Sequence, residues 1–249
     1  MKKNLKKLLL CLAILPMLAL ANTKAITVTA PIDLNDKASL QRGAQAFVNN
    51  CLNCHSASYM RYNRLQDIGL TEAQIKDNLL FAGEKVGDTM TVAMQPKDAK
   101  KWFGVAPPDL SVEVRARGAD WVYAYLRGFY RDETTATGWN NTVYDKVAMP
   151  HVLYELQGEQ HLVAKKDEHG KDVIDKHGKV VHELKLVKPG KLSPSEYNTY
   201  VGDLTNFMAY MAEPGKLNSH RTGIWVLLFL SLLLVLAIKL KKAYWKDIK

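Results

Sequence analysis

From Ser39 to about Leu52, apolar residues recur at spacings of three and four. Leu40, Ala44, Phe47, Val48 and Cys51 fall on one face and predict an amphipathic helix. Gly43 lies on or next to that face, where a second helix can come close. A longer stripe, Tyr197, Val201, Leu204, Met208 and Met211, widened by Phe207, predicts a helix toward the C-terminus. Ser193 and Glu196 have capping-box spacing, Pro194 suits the first helical position, and Pro214 sets the end. Residues 71–81 predict a short helix with Thr71 as N-cap, and Asp120 to Tyr130 another. Residues 22–38 read as an extended lead-in. Residues 82–118, rich in glycine and proline, read mostly as loop. In 161–188, turn chemistry around Asp167–Gly170 and His177–Gly178 precedes the alternating Val180 to Val187, which predicts an inserted surface β-hairpin. It contains His169, His177 and His182, read as solvated side chains. No internal repeat stands out.

Two unbroken apolar runs frame this region. The first, Leu8 to Leu20, follows a basic start and ends in the small-x-small triplet Ala19-Leu20-Ala21, so 1–21 reads as a signal peptide cut after Ala21 or Ala25. About 13 residues are too few for a comfortable membrane span. Cys11 lacks the small preceding residue that lipidation requires. The second run, Gly223 to Ile238, rises about 24 Å as a helix, against a hydrocarbon core of about 30 Å. Lys239, Lys241 and Lys242 can snorkel, and Trp225, Tyr244 and Trp245 suit the interfaces. Leucines cover all faces of this segment, which a buried helix in so small a domain could not satisfy. Residues 221–240 therefore read as a single span. The lysine-rich tail 241–249 is expected in the cytoplasm, and 22–220 in the periplasm as one domain.

Composition sharpens this picture in two places. The formal charge of +9 sits mainly on lysines of the leader and the tail, leaving a nearly neutral body without a basic stripe, so nucleic acid is excluded as a partner. The chain has three cysteines, one of them in the leader, so only Cys51 and Cys54 remain after cleavage.

Those two stand in Cys51-Leu52-Asn53-Cys54-His55, the C-x-x-C-H signature of covalent c-type haem attachment. Two thiols add to the vinyl groups at one porphyrin edge, and the next imidazole reaches the iron. A thioredoxin-type pair needs a βαβ setting, which is missing, and a zinc site needs further ligands. One motif implies one haem. The second axial ligand is open on spacing alone. Met60 is too close to His55, and Met208 and Met211 fit a core stripe. Met90, Met94 and Met149 remain, with His151 as an alternative. Met149 stands before a stiffening Pro150 in an irregular segment and is preferred. A carbonyl in Ala106-Pro107-Pro108-Asp109 is a candidate partner for the other nitrogen of His55. Arg115 and Arg117 are candidates to meet the propionates.

Taken together, these motifs resemble the cytochrome c1 family in its proteobacterial form over nearly the whole length. The resemblance rests on Cys51–Ser56 with Tyr59-Met60-Arg61-Tyr62, Trp102-Phe103-Gly104, Ala106-Pro107-Pro108-Asp109-Leu110-Ser111 and Arg115-Ala116-Arg117. It continues through Gly138-Trp139-Asn140-Asn141, Ala148-Met149-Pro150-His151 and Asn206–Pro214 before a C-terminal anchor. It implies a mainly α fold: a class I cytochrome c-like haem domain with loop and β-hairpin insertions and one transmembrane helix. It implies one haem c on Cys51 and Cys54, with His55 and Met149 as axial ligands and Pro108, Arg117 and Trp121 in the haem pocket. The implied role is electron transfer in a cytochrome bc1 complex, from the Rieske iron–sulfur subunit to a soluble cytochrome c. Cytochrome b is a further partner, and the complex is expected to be dimeric. The chain is then no enzyme by itself but a redox subunit of the ubiquinol–cytochrome c oxidoreductase. The rival readings are a free-standing membrane cytochrome serving an oxidase or dehydrogenase, and an enzyme with an open haem site.

Overall fold

A computed structural model describes residues 26–246. The signal-peptide reading at 1–21, both cleavage positions and the last three residues of the tail lie outside the described residues. The helices are α1 (Lys37–Asn50), α2 (Glu72–Asn78), α3 (Pro96–Phe103), α4 (Glu113–Arg117), α5 (Ala119–Arg127), α6 (Tyr154–Gln157), α7 (Pro194–Ala212) and α8 (Lys216–Tyr244). Three antiparallel strand pairs decorate them. These are β1 (Ala57–Arg61) with β2 (Thr89–Met90), β3 (Phe129–Arg131) with β4 (Trp139–Asn141), and β5 (Gly158–Ala164) with β6 (His182–Pro189).

The crossing of α1 and α7 organises the core. Leu40, Ala44 and Phe47 of α1 are buried against Val201, Leu204 and Phe207 of α7, and the Phe47 and Phe207 rings lie 5.7 Å apart. Gly43 sits at the closest approach. A Cβ there would fall 2.1 Å from the Asp203 carbonyl oxygen and 2.6 Å from Phe207 Cβ. Beside it, the Arg42 guanidinium grips the Asp203 carboxylate through two bonds, 2.6 and 3.0 Å long. Asn206, fully buried, donates to Asp33 O and Ser39 Oγ and accepts from Asp33 N, pinning the lead-in to the start of α1. Both expected capping boxes form, Thr71 with Gln74 and Ser193 with Glu196.

Residues 82–118 are mostly loop, as the sequence indicates, and hold two short helices that it does not indicate. Pro96 opens α3 at its first turn, Gly104 closes it in a left-handed conformation, and α4 follows at Glu113. The 3.6-residue period is masked because α3 buries only Ala99 and carries three lysines among its eight residues. The hairpin forms as β5 and β6, three residues earlier than the pattern indicated. Its tip holds a repeat that the sequence reading passed over. Asp167-Glu168-His169-Gly170-Lys171 returns eight positions later as Asp175-Lys176-His177-Gly178-Lys179. In each unit the aspartate Oδ1 accepts from the backbone N–H two and four residues on, and the glycine takes a positive φ of 76°. Only two copies exist, both in a polar tip, which hides the period from a search for apolar repeats.

Helix α8 leaves the domain and buries none of its 29 residues. Among the described residues it is the one helix long and apolar enough to cross a membrane. Its length of about 43 Å exceeds the hydrocarbon thickness.

Candidate functional site

The chemistry sits where α1 ends. Cys51 caps the helix, donating its N–H to Phe47 O at 2.8 Å, and the chain then turns tightly, with His55 N donating to Cys51 O at 2.8 Å. This turn places Cys51, Cys54 and His55 on the wall of one cavity of about 360 Å³. The two thiols are not joined to each other. Burial, reinforced by the neighbouring Cys54, pushes the Cys51 thiol up to about 12.

The His55 ring is fixed from behind. Its Nδ1 lies 2.8 Å from Pro108 O, the carbonyl expected within the Pro-Pro-Asp segment. That contact leaves Nε2 as the nitrogen available to the cavity. Burial lowers the ring's pKa, against opposing effects of the Pro108 carbonyl, Glu113 and Asp109, and so favours the neutral imidazole with its lone pair.

The Pro108–Ser111 segment is laced to the chain just after the haem motif. Asp109 Oδ2 accepts from Ser58 N and Ser58 Oγ at 2.9 and 2.7 Å, and Asp109 Oδ1 accepts from Ser111 N. Ser111 Oγ accepts from Tyr59 N, and Leu110 N donates to Ser56 O. These bonds set the height of the Pro108 carbonyl behind His55.

The other wall comes from α4, α5 and the segment after β4. Arg117 pairs with Glu113 and lays its guanidinium 4.5 Å over the Trp121 ring. Trp121 stacks on Tyr125 at 5.0 Å and 10°. Tyr125 O–H donates to Met149 Sδ at 3.4 Å. Burial raises the Tyr125 pKa, so the hydroxyl remains a donor. Met149 is carried by a loop that two asparagines shape. Asn141 donates to Tyr125 O and accepts from Val143 N and Tyr144 N. Asn140 accepts from Lys146 N, which takes a left-handed φ of 56°.

Cys51, Cys54, His55, Pro108, Arg117, Trp121 and Met149 all line this cavity. Arg115 does not, and neither do Met90, Met94 or His151. His151 is instead buried between Phe129 and Trp139, stacked on the first at 4.8 Å. Its Nε2 makes no hydrogen bond of ordinary geometry, and burial depresses the ring to about 4 against a weaker opposing effect of Gln157. His169, His177 and His182 gather no metal-binding cluster among the described residues. Among the lining residues that sequence reasoning missed, two stand out. Met208 was absorbed into the α7 stripe, yet it both packs in the core and reaches the cavity. Tyr125 sits one turn beyond Trp121 on α5, and that spacing was the available signal.

The family model described as "Cytochrome C1 family" matches residues 27–175. The cytochrome c1 of Allochromatium vinosum is 51% identical over 222 residues, 88% of each chain. A protein of Nitrosomonas europaea named ammonia monooxygenase gamma subunit is 49% identical over 99% of each chain. The mitochondrial cytochrome c1 haem protein of Saccharomyces cerevisiae is 25% identical over 88% of this chain and 70% of its own.

The chain belongs to the cytochrome c1 family.

Proteins of the cytochrome c1 family carry covalently bound haem c. Two unpaired thiols, an imidazole turned by a carbonyl, a thioether on a shaped loop and an apolar, aromatic lining fit a haem. The mainly helical fold and the C-terminal apolar helix, which suits a membrane anchor, agree with the cytochrome c1 family as well.

Proposed function

We propose that Cys51 and Cys54 hold one haem c as thioethers, that His55 and Met149 are its axial ligands, and that the chain transfers electrons within a cytochrome b–c1 complex. The observation that carries this reading is that one cavity collects both thiols, the oriented imidazole and the thioether. The relatives' names add the complex, and α8 adds the membrane. Electrons arrive from the Rieske iron–sulfur subunit and leave to a soluble cytochrome c. The haem domain faces the periplasm and the lysine-rich end of α8 faces the cytoplasm. The complex is a dimer.

When bound, the haem supplies a one-electron couple. The protein's residues supply everything else. The thiols fix the group's position, and Pro108 O holds the His55 ring in orientation. Arg117, partly exposed above Trp121, offers its cationic edge to a propionate. A thioether ligand favours the reduced state. Small, weakly held docking surfaces permit turnover of the soluble carrier.

The direct test replaces Met149 with Ala in the full-length membrane protein. The ferric near-infrared sulfur-to-iron band should vanish, while the pyridine haemochrome still reports one haem per chain. A surviving band would remove Met149 from the site. The similarity to an ammonia monooxygenase gamma subunit supports a second reading, in which the same haem domain serves a different membrane complex.

A further inference from the structure

One hydrogen bond in the cavity joins α5 to the segment that carries Met149. Tyr125 O–H spends its proton on Met149 Sδ at 3.4 Å. The ring itself is held independently. Trp121 stacks on one side, Phe129 meets it edge-on at 5.2 Å, and Asn141 holds the backbone carbonyl at 2.8 Å. The hydroxyl is thus aimed by its surroundings, not by the sulfur. A thioether sulfur has two lone pairs, and an iron ligand uses one. A donor on the other withdraws electron density from the sulfur and fixes which lone pair is free.

We propose that Tyr125 is a positioning residue for the axial thioether: its O–H selects the lone pair of Met149 that meets the iron, and weakens the sulfur's donation so that the reduced state is favoured. This rests on Met149 being the ligand. Arg117, Trp121, Tyr125 and Met149 then form one continuous relay of contacts, running from the partly exposed guanidinium to the thioether.

Tyr125→Phe keeps the ring and its two aromatic contacts and removes only the donor. In the full-length holoprotein it should retain the ferric near-infrared band, displaced in wavelength. Its midpoint potential should fall by about three- to tenfold in the reduction equilibrium, tenfold being about 59 mV for one electron. An unchanged potential with an unchanged band would overturn the proposal while leaving Met149 as the ligand. A band that also survives Met149→Ala would instead overturn the ligand reading itself. Should the phenylalanine variant fail to take up haem, 3-fluorotyrosine at position 125, a stronger donor with the same shape, should raise the potential. A fall or no change there would overturn the proposal equally.

Discussion

At the scale of single residues, the reactive groups were legible because their chemistry demands fixed spacing. Two thiols and an imidazole must meet one porphyrin edge, so Cys51, Cys54 and His55 stand in a short motif. Their supports were harder to read, since Asp109, Asn140 and Asn141 act through hydrogen bonds to backbone groups that no sequence spacing marks. Asp109 offers a test of one such support. Burial pulls its carboxyl pKa up, but hydrogen bonds from Ser111 and Ser58 outweigh that and leave it below the usual carboxylate range. A carboxyl depressed in the folded state stabilises the fold above its unfolded pKa, near 3.9, and loses that contribution as pH falls through the folded value. Asp109→Ala should therefore cost about 1 kcal/mol at pH 7, a figure kept low because the side chain is exposed. The deficit should shrink below roughly pH 4. Urea unfolding midpoints of both proteins at pH 7 and pH 3 measure this, and a deficit independent of pH would assign the effect to something other than the charge.

At the scale of elements, amphipathic stripes and caps predicted α1, α2, α5 and α7 because each buries a definite face or carries a capping box. Helix α3 escaped because it is short and buries one residue, and the repeat at the hairpin tip escaped because it is polar. The packing of α1 on α7 depends on one residue with no side chain. Gly43→Ala would drive a Cβ into the Asp203 carbonyl, which is backbone and cannot swing aside. The expected loss is about 3 kcal/mol, the upper end for overpacking. Thermal unfolding should show a drop in Tm of several degrees, together with poorer haem retention during expression. A variant as stable as the parent would mean that the helices can separate without cost.

At the scale of the whole molecule, the apolar C-terminal run that sequence made plain suits a membrane anchor without describing the protein's partners. Helix α8 buries none of its residues against the other described residues, and its exposed apolar surface suits lipid or another subunit. Partner surfaces leave no periodic signature in a single sequence, which is why the complex is read through relatives and not through spacing. The most direct measurement is to solubilise membranes gently, purify by this chain, and record reduced-minus-oxidised spectra alongside a quinol–cytochrome c reductase assay. Co-purifying b-type haem with reductase activity is the result expected of a cytochrome b–c1 subunit. A c-type spectrum alone, without activity, from a preparation cross-linked before solubilisation so that no subunit is lost, would contradict it.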